Sequence, residues 1–186
     1  MLTRAAILAV ASRHVEDHGF EAVSLRAVAR ELDVTAPALY DHVDSKSDLL
    51  ALIAAEGFEE MVAQFRTVSA TAATQRLRAR ALVYVAFAVE HPELFRLMFQ
   101  YRPAEVAIEL DNELPAATRA LEINFADISE AIGKGELPDR DVVELSMMLW
   151  SAVHGVATVA MMVASAEHEK LAGDVIDAML TGLRIG

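Results

Sequence analysis

The chain has 186 residues, 54% of them hydrophobic, and only five prolines, so it can bury a sizeable core and is not a disordered polymer. It has no cysteine, which excludes a disulfide framework and a thiolate nucleophile or metal ligand. Its formal charge of −12 gives no basic signature of a nucleic-acid partner, and residues 1–50 carry five Arg/Lys against eight Asp/Glu, so any partner has to be read from geometry.

The opening MLTRAAILAVAS imitates an export signal, with a basic residue, a short apolar run and Ala9-Val10-Ala11. The apolar face of Ile7, Leu8, Ala11 and Val15 runs straight through the supposed cleavage site. The stretch therefore reads as a first helix over 3–18, and the chain as cytoplasmic. Gly19 stands at a C-cap position with Phe20 packing just beyond it. Ser24 is placed to cap a second helix over 24–32, with Leu25, Val28, Ala29 and Leu32 at i, i+3, i+4 and i+7. Asp33 and Val34 make a tight connection, and Asp tolerates the left-handed conformation such a turn often needs. Thr35 then caps a third helix over 35–42. Pro37 falls in its first turn, where a missing N–H costs little. Ser45-Lys46-Ser47-Asp48 is a capping box before a long fourth helix.

Later breaks are expected at Arg66–Thr74, His91-Pro92, Tyr101–Pro103, Asn112–Pro115 and Gly133–Pro138. No run alternates apolar and polar residues, so the fold class is all-α. Leu145 to Ala166 holds no charged residue over 22 positions, long enough to span a bilayer. It also holds Ser146, Ser151, His154 and Thr158, and no Lys/Arg cluster anchors either end, which points to a helix buried in a bundle or dimer. His14 and His18 lie at i, i+4, as metal ligands often do, but the Glu is misplaced for an H-E-x-x-H helix, and no metal site is expected. There is no glycine-rich phosphate loop and no Gly-x-Ser-x-Gly elbow. No catalytic residue or cofactor is assigned, and the chain is read as non-enzymatic.

Two short helices joined by a two-residue turn have helix-turn-helix geometry. Leu39 and Val43 would face the core beside Val28 and Leu32, leaving Ala36, Pro37 and Tyr40 outward. Small apolar groups suit thymine methyls, and a Tyr hydroxyl can reach a phosphate. Lys46 adds a cation beside the unpartnered N–H groups that open the fourth helix. Residues 3–50 resemble the DNA-binding domain of the TetR family of transcriptional regulators. The resemblance is carried by Gly19-Phe20, Ser24-Leu25, Val28-Ala29, Val34-Thr35, Leu39-Tyr40, Val43, Lys46 and Leu49-Leu50. It implies that Ser24 and Arg26 lie near the phosphate backbone, that Thr35, Ala36, Pro37 and Ala38 approach bases, and that Tyr40, His42 and Lys46 hold phosphates. Two residues depart from the pattern. Asp33 stands where the family usually has Gly, and Asp41 brings a negative charge that either weakens DNA binding or faces away.

The runs from His91 to Phe99 and from Trp150 to Gly155 resemble the TetR branch named for its Trp-His-Gly pattern. This implies a small-molecule effector and a homodimer, with a DNA-binding domain over 1–48 and an effector-binding and dimerisation domain over 49–186. Met147, Trp150 and His154 recur at i, i+3 and i+7; Tyr84, Phe87 and His91 repeat that spacing, and Phe95, Met98 and Phe99 follow. Aromatic and Met side chains around histidine suit a pocket for a mostly apolar ligand, and equally an ordinary core. The resemblance favours the pocket, with His154 as its polar handle. For the dimer, Ala152, Gly155, Val156, Ala160 and Ala164 allow close backbone approach, while Ala178, Met179, Leu180 and Leu183 supply apolar area. The expected function is a repressor released from a palindromic double-stranded operator by its effector. The rival is a helical enzyme or protein-interaction adaptor with a vestigial DNA-binding domain; an adaptor leaves the Pro37/Tyr40 face unexplained.

Overall fold

The computed structural model describes residues 2–100, 115–163 and 167–185, and every element longer than a single turn among them is an α-helix. In chain order these are α1 (Arg4–His18), α2 (Leu25–Glu31), α3 (Ala36–Leu39), α4 (Lys46–Thr67), α5 (Ala73–Glu90), α6 (Pro92–Gln100), α7 (Pro115–Gly133), α8 (Val142–Met162) and α9 (His168–Ile185). The break expected at Tyr101–Pro103, most of that at Asn112–Pro115, and Ala164 lie outside the described residues.

The described chain divides into two compact units. The first holds the residues up to Phe58 and those from His91 to Gln100; the second holds Glu59–Glu90 and those from Pro115 onward. The division expected after residue 48 thus falls ten residues later, inside α4, and the first unit also takes in α6. One reason is steric. A Cβ at Gly57 would stand 2.8 Å from Met98 Sδ and 3.1 Å from Leu94 Cδ1, so glycine lets α4 lie against α6.

In the first unit, Thr3 caps α1 by accepting from the Ala6 N–H at 3.2 Å. Gly19 ends that helix at φ 80°, its N–H bonded to the Val15 carbonyl at 2.8 Å; this backbone region favours glycine. A single 3-10 turn at Phe20–Ala22, which carries no periodic signal in the sequence, follows it. Asp33 takes φ 54°, the left-handed conformation expected of the residue standing in for glycine. At α4 the capping box forms with a shifted return arm. The Ser45 hydroxyl accepts from the Asp48 N–H, while the Asp48 carboxylate reaches back to the N–H of Asp44 rather than Ser45. Ile7, Ala11, Val15, Val28, Leu39 and Leu49 are all buried, and full burial of each of the larger aliphatic side chains is worth roughly 1.5–3 kcal/mol.

In the second unit α5 packs against α7, α8 and α9. Asp141 caps α8 by accepting from the Glu144 N–H at 2.8 Å, which sets its start just after the break expected at Gly133–Pro138. An ionic cluster ties α5 to α7. Arg76 donates to Asp127 at 2.8 Å and to Glu130 at 2.6 Å, and Arg80 pairs with Asp127. The backbone carbonyls of Ala70 and Phe65 accept from Arg76 and Arg80 respectively, closing the α4–α5 connection onto the same two arginines.

Candidate nucleic-acid interface and interior cavity

The turn between α2 and α3 is closed by the Val34 N–H on the Ala29 carbonyl at 3.0 Å. Thr35 then enters α3 in an extended conformation (φ −78°, ψ 147°) with Pro37 at the second helical position. The Thr35 side chain makes no capping bond, and neither does that of Ser24, so both helices start on backbone geometry alone. The helix expected over 35–42 is α-helical only over 36–39. The Tyr40 N–H bonds the Pro37 carbonyl three residues back, tightening the end, while the Val43 N–H still reaches Leu39 at 3.0 Å. Leu39 and Val43 are fully buried, which anchors this short element.

What remains outward is the predicted set. Tyr40 is 55% exposed. Ser24, Arg26, Thr35 and Pro37 are exposed, and Ala36, Ala38 and His42 half-buried. Lys46 is half-buried and donates to the Glu21 carbonyl at 2.7 Å, using one of the ammonium's three donors. Asp41 is exposed.

The second unit contains a cavity of about 50 Å³. Tyr84 and Trp150 line it, with Phe65, Leu149 and Ile176 among the apolar walls. Beside it, the Tyr84 hydroxyl lies 2.8 Å from Nδ1 of His154 and accepts from the Trp150 indole N–H at 3.3 Å. Burial holds the His154 imidazole below its ordinary range and raises the Tyr84 phenol well above its own, so both stay neutral near pH 7.

The nine residues named for the pocket are not all gathered here. Phe87 is fully buried but does not line the cavity, and Met147 is 39% exposed on α8. His91, Phe95, Met98 and Phe99 belong to the first unit. There His91 Nδ1 lies 3.0 Å from Glu16, and Phe99 packs against Phe95 and Phe58. Conversely, Arg80, Asn124 and Ser146 line the cavity and were not singled out. Arg76 and Arg80 one turn apart on α5, with Asp127 and Glu130 on α7, form a complementary pattern that could have flagged Arg80.

The named dimer residues divide between two faces. Val156, Ala160, Leu180 and Leu183 are buried within the chain, and Ala152 and Met179 are half-buried. Gly155 and Ala178 are exposed, and a Cβ on Gly155 would meet nothing within 4 Å. Val143, Met147, Ser151, Gly155, Val159 and Met162 form one exposed stripe down α8, nearly all of it apolar or small. By length and composition α8 also meets the requirements of a membrane span, but its other face is packed on α5, α7 and α9.

A helix-turn-helix head joined to a separate helical unit defines a DNA-binding regulator. The family description "Bacterial regulatory proteins, tetR family" matches residues 7–53, and "Tetracyclin repressor-like, C-terminal domain" matches 77–183. The chain belongs to the TetR family of transcriptional regulators. It is similar to the uncharacterized HTH-type transcriptional regulator Rv0681 of Mycobacterium tuberculosis, 24% identical over 83% of this chain and 68% of that protein. A protein of unknown function from Rhodococcus sp. RHA1 shares the fold at a TM-score of 0.85 and 26% identity, covering 97% of this chain and 95% of that one. FadR from Bacillus subtilis, solved in complex with stearoyl-CoA, superposes at a TM-score of 0.80 and 16% identity, over 97% and 99% of the two chains.

Proposed function

We propose that this protein is a cytoplasmic homodimeric repressor that leaves a palindromic operator when a small, mostly apolar effector enters the second unit. The observation that carries the DNA half is the pairing of a fully buried Leu39 with an outward Thr35, Pro37 and Tyr40 on one short helix. A surface of that kind fits a major groove better than it fits water. Two such heads related by a dimer axis would meet half-sites about 34–36 Å apart.

The effector half rests on the cavity beside Tyr84 and Trp150, which combines apolar walls with Arg80, Asn124 and Ser146. At about 50 Å³ the cavity is far below the roughly 300–1,000 Å³ of a typical ligand pocket, so an effector would bind an opened form of the second unit. A ligand that binds one conformation better shifts the population toward it, and the DNA-competent form is then depleted. Helix α4 serves both functions: Ser45 caps its start just after α3, and Phe65 near its end lines the cavity. The shared fold with FadR makes long-chain acyl-CoA thioesters reasonable first probes.

The test is operator release. Duplex selected by the full-length protein is titrated with acyl-CoAs and other apolar carboxylic compounds, followed by fluorescence anisotropy. Release by one class, lost when Trp150→Ala removes the indole from the cavity wall but leaves operator affinity intact, supports the reading. Binding of effector with no change in operator affinity rejects it.

A further inference from the structure

We infer that this protein reads its operator through thymine methyl groups, with the outward surface of α3 as the reading element. The inference rests on the assignment of α2 and α3 as the DNA-facing pair. Hydrogen-bond readout of base edges in the major groove depends mainly on Arg or Lys at guanine and Asn or Gln at adenine. From Leu32 to Ser45 the chain contains none of these four residue types. The side chains that a recognition helix turns toward bases come from its N-terminal residues. Here those are Thr35 and Pro37, both exposed, and Ala36 and Ala38, both half-buried, while Leu39 points into the core.

Thus the reading surface is almost entirely C–H. Pro37 contributes a rigid ring with no N–H donor, and the two alanines contribute methyl groups. The one polar group is the Thr35 hydroxyl, which is not engaged in capping and can bond either kind of base. Arg26 and Arg30 are exposed on α2, the helix that crosses the backbone in this geometry, which directs them to phosphates. Asp33 lies in the left-handed turn before α3 and Asp41 lies beyond its end, so neither occupies the base-reading positions. In the major groove the thymine C5 methyl is the base-edge group that matches a C–H surface. Discrimination then comes from burying methyls, at about 0.8 kcal/mol or roughly fourfold each.

The experiment changes the DNA and leaves the protein intact. A site is enriched from random duplexes with the full-length protein, and each thymine is then replaced by deoxyuridine, which lacks only the methyl. Replacement at the positions beneath α3 should weaken binding about fourfold in one half-site and on the order of fifteenfold when both half-sites are changed. In Pro37→Ala protein the penalty at the contacted thymine should shrink below about twofold, because the two methyl partners are coupled. An enriched site that tolerates deoxyuridine everywhere, its preference tracking guanine or cytosine edges alone, overturns the inference and leaves the DNA-facing assignment standing. Failure to enrich any duplex overturns that assignment itself.

Discussion

The hydroxyl of Tyr84 on α5 lies 2.8 Å from Nδ1 of His154 on α8, and the Trp150 indole donates to the same oxygen at 3.3 Å. An indole can only donate, so the assignment that uses all three groups sends the Tyr84 proton to Nδ1 and leaves the neutral imidazole protonated on Nε2. Protonating His154 would turn that acceptor into a donor and break the chain. Burial already depresses its pKa in the folded state, so the unfolded chain takes up this proton at higher pH than the folded one. The contribution to stability is therefore fully present above about pH 6.5, begins to fall there, and is lost as pH drops on through the lower folded-state pKa. Below about pH 6.5, the melting temperature of the wild type should fall more steeply than that of His154→Gln. Parallel curves would show that the imidazole titrates freely.

The second prediction concerns the ionic cluster. Asp127 is 5% exposed and accepts from Arg76 while pairing with Arg80. Removing one partner of a buried pair leaves the other charge unpaired and costs about 3–5 kcal/mol. Asp127→Ala should lower the melting temperature by on the order of 10 °C for a chain of this size. Glu130→Ala should do much less, because Glu130 is half-exposed and its charge is already screened by water. A loss in Asp127→Ala as small as that in Glu130→Ala would mean that α5 and α7 are held by apolar packing alone.

These two clusters mark the limit of what the sequence disclosed. The head was legible because each of its signals is local: a cap, a glycine, an apolar pair four apart. Asp33 at φ 54° and Pro37 in the first turn of α3 are as local as structure can be. The cavity was less legible, since it is made by residues that meet only through tertiary packing. Tyr84 and Trp150 stand out by residue type, whereas Arg80 and Asn124 are polar and carry no local signal of an interior position. His91 lies in the break after α5 and Phe95, Met98 and Phe99 lie beyond it on α6, which belongs to the first unit and lies against Gly57 of α4. Periodicity finds a buried face; it does not say which helix covers it.

The third prediction tests assembly on the exposed stripe of α8. Met162 is 80% exposed and Val159 48% exposed, so a charge there leaves the chain's own core untouched. Val159→Glu with Met162→Glu should yield a folded monomer with weakened operator binding, read by sedimentation and circular dichroism. Ala160 sits one residue away and is buried, so Ala160→Glu should unfold the chain whether or not a dimer forms. Gly155→Ala refines the test. In a monomer the open space around Gly155 makes the change stabilising by about 1 kcal/mol of helix propensity, whereas a partner helix pressed against it would turn the sign. A double glutamate variant that remains dimeric places the interface elsewhere.

The last prediction separates phosphate contacts from in-chain support on the DNA face. The Tyr40 ring is largely exposed, and removing its hydroxyl disturbs no packing. Tyr40→Phe should therefore weaken operator binding without moving the melting temperature. A neutral hydroxyl displaces no condensed counterion when it bonds a phosphate, so the dependence of affinity on salt should also stay unchanged. Lys46 differs on both counts. Its ammonium bonds the Glu21 carbonyl, and Lys46→Ala should cost about 0.5–1.5 kcal/mol of stability for that hydrogen bond. If the same ammonium also neutralises a phosphate, the slope of log affinity against log salt should become shallower by about 0.9. Lys46→Arg keeps the charge and should restore the slope. Should Lys46→Ala lose stability with an unchanged slope, the lysine is a strut between α4 and the turn at Glu21, and the DNA backbone is held by Arg26 and the other exposed cations of the head.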